Sequence, residues 1–257
     1  VCSPESAEGY LWLGGKAARR MRKAIFFDLD GTLLPMDMDA FMHIYMKAIA
    51  ENGFYKKIST EKGEEIFGQA VMAMILNDGH ALNRDVFFDV IAMESGADRD
   101  ALAAHMETFY TGEFLQLQAA TRAEEYVKRT IEVLKEKGYR RVLATNPLFP
   151  SVATDTRIRW AELESGDFEY ITYYDNSHYC KPNPKYFEEI LERTGLAAEE
   201  CYIVGNDVRD DLSAVALGFE AFLVLDHVIG DVEKGPPCQK GSYSDLLKFA
   251  ENLPPIM

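Results

Sequence analysis

The sequence is poor in cysteine, in positive charge and in long apolar runs, and each shortage removes a class of protein. Four cysteines stand among 257 residues, Cys2, Cys180, Cys201 and Cys238, and none lies in a CxxC pair. A disulfide framework and a structural zinc site both need more than that, so reduced thiols and a cytoplasmic location are expected. Basic residues number 27 against 42 acidic ones, for a formal charge of −15. A surface that negative repels polyanions, which argues against nucleic acid and anionic membranes as partners. A small anionic substrate in a local positive pocket remains compatible with it. No apolar run reaches ~18 residues, so no membrane-spanning helix is expected.

What is present is a globular composition with 47% apolar residues, enough for a sizeable core. The length fits one large domain, or one domain carrying a smaller insertion. Oligomeric state leaves no mark in the sequence. The opening "VCSPESAEGYLWLGGKAARR" has too short an apolar stretch for a secretion signal, and its basic residues follow that stretch rather than precede it. Residues 1–21 are therefore read as an N-terminal extension without a catalytic role.

Five segments read as strands: "KAIFF" (23–27), "RRVLAT" (140–145), "EYITYY" (169–174), "CYIVG" (201–205) and "EAFLVL" (220–225). Helical periodicity lies between and after them, at 122–137, about 151–163, 184–194, about 209–217 and 242–252. Strand and helix in alternation predict a doubly wound α/β fold, with a parallel sheet covered on both faces. Ligands of such sheets sit at the carboxyl ends of the strands.

Residues 37–118 differ, with almost no strand signal. In "DMDAFMHIYMKAIAEN" (37–52), Phe41, Ile44, Tyr45, Ala48 and Ile49 share one helical face. Segments 61–77, 83–95 and 98–112 are also helical in pattern, with Asn83 and Asp98 as expected N-caps and Gly53, Gly79, Gly96 and Gly112 as punctuation. Residues 22–36 and 119–257 are thus expected to form the catalytic core, interrupted by a smaller helical domain at 37–118.

The polar residues fall where the strands end. Asp28 follows the first strand in "DLDGT". Thr145 and Asn146 end the second. Lys181 follows the third in "CKPNPKYF", and Asp207, Asp210 and Asp211 follow the fourth in "VGNDVRDDL". In a parallel sheet these ends share one edge. A phosphate ester carries about two negative charges, and each pair with a carboxylate ~4 Å away repels by roughly 4 kcal/mol at an effective dielectric near 20. A divalent cation between them removes that barrier. Hard oxygen ligands without histidine or thiol favour Mg²⁺. Lys181 and the Thr145 hydroxyl can hold the remaining phosphoryl oxygens. Asp30 is placed to protonate a poor leaving group and then activate water. Gly31 permits the tight backbone path and is expected to leave its amide near the phosphate.

"DLDGT", "TN", "KPNP" and "GNDVRDD" resemble, in order, the four motifs of the haloacid dehalogenase superfamily. The resemblance implies Asp28 as nucleophile and Asp30 as general acid/base. It implies phosphate binding by Thr145, orientation of nucleophile and phosphate by Lys181, and Mg²⁺ ligation by Asp207, Asp28 and the Asp30 carbonyl. Asp211 looks like the motif's second acid, with Asp210 its rival, and Asn146 is a further substrate-binding candidate. Segment 37–118 is similar to the family's helical cap inserted after the first strand.

Dehalogenases lack an acid at the Asp30 position, which points instead to a phosphatase acting on a small phosphorylated metabolite. A sugar-phosphate mutase is the alternative, although such mutases carry a cap histidine where this chain has Met38, and His43 comes five residues late. A non-catalytic phospho-acceptor domain is a further alternative, without an acid placed like Asp30. In the helical segment, Phe41, Met42, His43, Tyr45 and Lys47 are candidates for substrate contact, but a stripe of methionine and aromatic residues is more often core. His80 and His105 read as helix-end or surface residues. Cys180 sits beside Lys181 and reads as a packing residue.

Overall fold

The computed structural model describes residues 21–256, so all of the N-terminal extension but Met21 lies outside the described residues. The chain begins with β1 (Ala24–Phe27) and then runs through α1 (Met38–Asn52), α2 (Phe54–Ile58), α3 (Gly63–Ile75), α4 (Asn83–Ser95) and α5 (Arg99–Thr111). It continues with α6 (Glu125–Glu136), β2 (Arg140–Leu143), α7 (Ser151–Trp160), β3 (Tyr170–Ile171) and α8 (Pro184–Thr194). The last elements are β4 (Cys201–Gly205), β5 (Glu220–Val224), β6 (Gln239–Gly241) and α9 (Tyr243–Asn252).

The strands form one parallel sheet in the order β3-β2-β1-β4-β5-β6. The order reverses between β1 and β4, which is where a doubly wound sheet opens a crevice at its carboxyl edge. Phe27 is in register with Leu143 on one side and Val204 on the other, so the chain leaves all three central strands at the same level.

Alternation along the strands sends side chains to two cores. Ile25, Phe27, Leu143, Val204 and Phe222 pack on one face with α6 and α9. Ala24, Phe26, Val142, Ile203 and Leu223 pack on the other with α8. Each large side chain so buried contributes about 1.5–3 kcal/mol.

Helices α1–α5 occupy the interval between β1 and α6. Asp37 caps α1 by accepting from Ala40 N at 2.9 Å, and Gly53 ends it in the left-handed conformation, φ 83°. Phe41, Tyr45, Ala48 and Ile49 are buried, as the helical face predicted. Their core is continuous with the α6 face of the sheet through Phe114, Phe149 and Trp160. The chain enters this helical insertion and leaves it side by side. Met36 pairs antiparallel with Thr121, Asp37 N donates to Ala120 O at 3.0 Å, and Arg122 N donates to Pro35 O at 3.1 Å.

Several local expectations are corrected. Asp98 does cap α5, accepting from Ala101 N at 2.8 Å, but Leu82, not Asn83, precedes α4. The Asn83 amide turns inward instead, where it donates to Pro147 O at 3.3 Å and Cys180 Sγ at 3.4 Å and accepts from Asn77. A buried amide gains more there than at an exposed cap. The strand expected over 169–174 holds only Tyr170–Ile171; beyond it the Thr172 hydroxyl takes up the Thr145 carbonyl at 2.6 Å. The helix expected over 209–217 is a 3₁₀ segment at Leu212–Leu217. Before it, Asp207 Oδ1 captures the amides of Arg209 and Asp210 in a tight turn. The edge strand β6 was not foreseen, because "QKG" carries no apolar alternation.

Candidate active site

The four strand-end segments meet at the reversal of strand order. Asp28 leaves β1 with its amide bonded to Val204 O at 2.9 Å, and only 8% of it is exposed. Lys181, 3% exposed, reaches under the sheet edge. Its Nζ lies 2.8 Å from Asp28 Oδ1 and 2.6 Å from Asp211 Oδ1. Burial alone would lower the Lys181 pKa, but Asp211 and Asp28 outweigh it and hold the ammonium well above its usual value. Asp211 is buried too, and burial pushes its carboxyl up to about 7 against the pull of Lys181. Two main-chain amides, Asn206 N at 3.0 Å and Asp207 N at 2.9 Å, donate to its Oδ2. Asp211 therefore knots the β4 turn to the lysine. Asp210, the rival for this place, is half-buried; its one side-chain contact with the cluster is Asn146 Nδ2 at 3.5 Å.

Thr32 and Asn206, neither singled out by sequence, complete the floor. Thr32 Oγ1 is 2.9 Å from Asn206 Oδ1 and 3.3 Å from Asp28 Oδ2. One hydroxyl has one proton, and the shorter contact takes it. Asn206 is held in this orientation because its Nδ2 donates to His227 O at 2.6 Å. The "T" of "DLDGT" was the available signal for Thr32.

Gly31 adopts φ 83°, and a Cβ there would fall 2.3 Å from Asn206 Nδ2. Its amide is not free as expected. Gly31 N donates to Leu34 O at 2.8 Å, closing the turn that reverses the chain after Asp30, and Gly31 O accepts from Tyr243 at 2.8 Å. Among the described residues, the Leu29 and Asp30 amides are the ones in this turn that make no hydrogen bond.

Thr145 is buried at the end of the β2 segment. Its carbonyl accepts from Thr172 and Tyr186, while its hydroxyl makes no hydrogen bond among the described residues. Asn146 has a different employment from the one expected: its Oδ1 accepts from Lys181 N at 3.2 Å, which fixes the lysine loop.

Asp30 Oδ2 accepts from Arg157 Nη1. Burial raises the Asp30 carboxyl above its ordinary value, with Arg157 opposing and Asp28 adding to the rise. Arg157 was missed by sequence. Its only signal is a charged residue among the buried Ala153, Thr154 and Ile158 of α7.

Phe41 and Tyr45 are core; Met42, His43 and Lys47 are exposed. His105 stacks on Phe54, 5.7 Å between centroids, and His80 bonds Asp78. Burial pushes the Cys180 thiol up to about 12, so Lys181 does not activate it. Beside Gly31 and Asn206 a cavity of about 300 Å³ opens between Met36–Asp39 and His227–Ile229. A larger one, about 630 Å³, lies against α8 and shares no residue with the acid cluster.

The model of the haloacid dehalogenase-like hydrolase family matches residues 22–218. The chain belongs to the haloacid dehalogenase-like hydrolases. It is 30% identical over 211 residues to a glyceraldehyde 3-phosphate phosphatase of Methanothermobacter thermautotrophicus, covering 79% of this chain and 86% of that protein. It is 26% identical over 203 residues to a phosphoglycolate phosphatase of Aliivibrio fischeri, covering 78% and 82%. Its fold is similar to that of the L-2-haloacid dehalogenase of Xanthobacter autotrophicus, with a TM-score of 0.56, 16% identity and coverage of 91% and 100%. As a hydrolase of this family the chain carries the strand-end segments at one edge, as its sequence predicted. No helix among the described residues is long and apolar enough to cross a membrane.

A divalent cation fits the donor set. Asp207 spends Oδ1 on two amides, and its Oδ2 takes no hydrogen bond among the described residues. Asp207 N donates to Asp211 Oδ2, and Asp211 and Asp28 share the Lys181 ammonium, so Asp28 and Asp207 belong to one cluster. No group of three His, Cys, Asp or Glu side chains surrounds one point among the described residues. A hard cation held by two carboxylates and a main-chain carbonyl needs no third.

Proposed function

We propose that this hydrolase is a Mg²⁺-dependent phosphatase that cleaves a small phosphomonoester through an aspartyl phosphate on Asp28. The observation that carries the reading is the Lys181 ammonium bonded to both Asp28 and Asp211 in a buried cluster. That arrangement aims the Asp28 carboxylate, as a nucleophile must be aimed. The phosphatase names of the two relatives support the substrate class.

Asp28 attacks phosphorus while the Leu29 and Asp30 amides, the Thr145 hydroxyl and Lys181 receive the phosphoryl oxygens. Asp30 gives a proton to the departing alkoxide and then takes one from the water that opens the acyl phosphate. Asp211 fixes Lys181, and Asn206 fixes Thr32. Asp28, Asp207 and the Asp30 carbonyl would hold Mg²⁺, which supplies the positive charge that lets one anion approach another. The segment over 37–118 acts as a cap that covers the site and contributes Asp37–Asp39 to the cavity beside it. The free thiols of Cys180, Cys201 and Cys238 fit a reducing compartment, the cytoplasm.

The test is phosphate release with Mg²⁺ from a panel of sugar phosphates, triose phosphates, phosphoglycolate and nucleotides. Turnover of a small carboxylated or sugar phosphate is expected. Isomerised product without free phosphate would identify a mutase, and a stable phosphoprotein would identify a phospho-acceptor.

A further inference from the structure

Arg157 is fully buried, and a buried guanidinium persists only where partners replace its water. Its Nη1 donates to Asp30 Oδ2, its Nη2 to Thr154 Oγ1 at 3.2 Å, and its Nε to Ala153 O at 3.4 Å. Its face lies over the Phe149 ring, 4.4 Å from the centroid. The insertion completes the enclosure. Tyr45 on α1 and Tyr110 on α5 meet Phe149 edge-on at 5.6 and 6.3 Å, and their hydroxyls are 3.1 Å apart.

The two oxygens of Asp30 are therefore unlike. Oδ2 is tied to Arg157, while Oδ1 is buried without a hydrogen-bond partner among the described residues. The terminal torsion of an aspartate is broad and roughly two-fold, so nothing intrinsic keeps the oxygens from exchanging. A planar guanidinium held on three sides does keep them apart.

We propose that Arg157 is the positioning residue of Asp30, tying down Oδ2 and so fixing the plane and orientation of the carboxyl that transfers the proton. This rests on the acid/base reading of Asp30 given above. A merely structural arginine would link α7 to the β1 turn and alter stability without altering the turnover of folded protein.

The full chain is compared with R157Q, R157K, D30N, D30N/R157Q and D30N/R157K in phosphate release, with circular dichroism and thermal unfolding on each. R157Q is expected to lower kcat roughly 10- to 100-fold, within the range of acid–base catalysis, with KM little changed and R157K intermediate. D30N/R157Q is expected to be no slower than D30N, because Arg157 acts through the group already removed. Wild-type turnover in folded R157Q, or losses that multiply in the double variant, would overturn the assignment. If R157Q does not fold, R157K and D30N/R157K decide it by the same comparison. Failure of the unaltered protein to release phosphate from any ester would instead overturn the phosphatase reading, and the inference with it.

Discussion

Lys181 Nζ lies 2.8 Å from Asp28 Oδ1, across 153 residues of sequence. The ammonium is buried between two carboxylates, and each of the three groups is tolerable there only because of the others. Replacing Lys181 with methionine leaves Asp28 and Asp211 facing each other without a counter-charge. The expected cost is about 3–5 kcal/mol of stability, read as a lowered urea midpoint, together with loss of turnover. A K181M protein as stable as the original would show that the cluster is not held by charge.

Asp28→Asn removes the nucleophile while keeping its shape and its contact with Lys181. Turnover is expected to fall by at least about 10⁴-fold, the scale at which a nucleophile is missed, with the circular dichroism spectrum unchanged. Rapid-quench labelling with a ³²P ester checks the same point, since the D28N protein should trap no acid-stable phosphoprotein.

The raised Asp30 carboxyl gives the two half-reactions opposite pH dependences. Phosphoenzyme formation needs the protonated acid, so it slows as pH rises through the Asp30 pKa. Phosphoenzyme breakdown needs the ionised base, so it quickens over the same interval. Burial is the chief cause of the rise and Asp28 adds to it, which moves the crossover up from the ordinary carboxyl range toward neutrality. Single-turnover kinetics across pH 4–8 should separate the limbs, and D30N should flatten both.

Removal of divalent cations with EDTA should abolish phosphate release, and Mg²⁺ should restore it. The apoprotein should also melt at a lower temperature than the Mg²⁺-loaded protein, because a ligand that binds only the folded state stabilises it by mass action. Undiminished activity after exhaustive chelation would remove the cation from the mechanism.

Gly31→Ala forces a Cβ into the Asn206 amide, at a backbone φ of 83° that L side chains rarely adopt. Asn206 would have to leave His227 O and Thr32. A loss of roughly 1–3 kcal/mol is expected from the strained turn, and kcat should fall with it because Thr32 loses the partner that keeps its proton from Asp28.

The parallel sheet and the acids at its edge were legible because both depend on local signals. Short apolar runs ended in "DLDGT", "TN", "CKPNPKYF" and "GNDVRDD", and the topology did the rest. Partnerships were not legible. Nothing in the spacing of Arg157 says that it faces Asp30, 127 residues away, since helical periodicity records which side is buried but not against what. Asn146 and the Gly31 amide were assigned to substrate, whereas both are spent on the protein's own turns. A polar group beside a site can serve the ligand or the backbone, and only three-dimensional accounting separates the two. Asn83 was misplaced for a similar reason, because capping preference is weaker than the need to satisfy a buried amide.

The side-by-side passage at Pro35–Asp37 and Ala120–Arg122 makes the insertion a module with a fixed socket. Both of its ends are stitched together on the sheet side, so the chain enters and leaves the insertion at one place beside the strand edge. A segment of different length grafted at Met36 and Thr121 would inherit those paired ends, but it would have to rebuild the cover that Tyr45 and Tyr110 give to Phe149 and the bonds that Asn83 gives to the Pro147 and Cys180 turns.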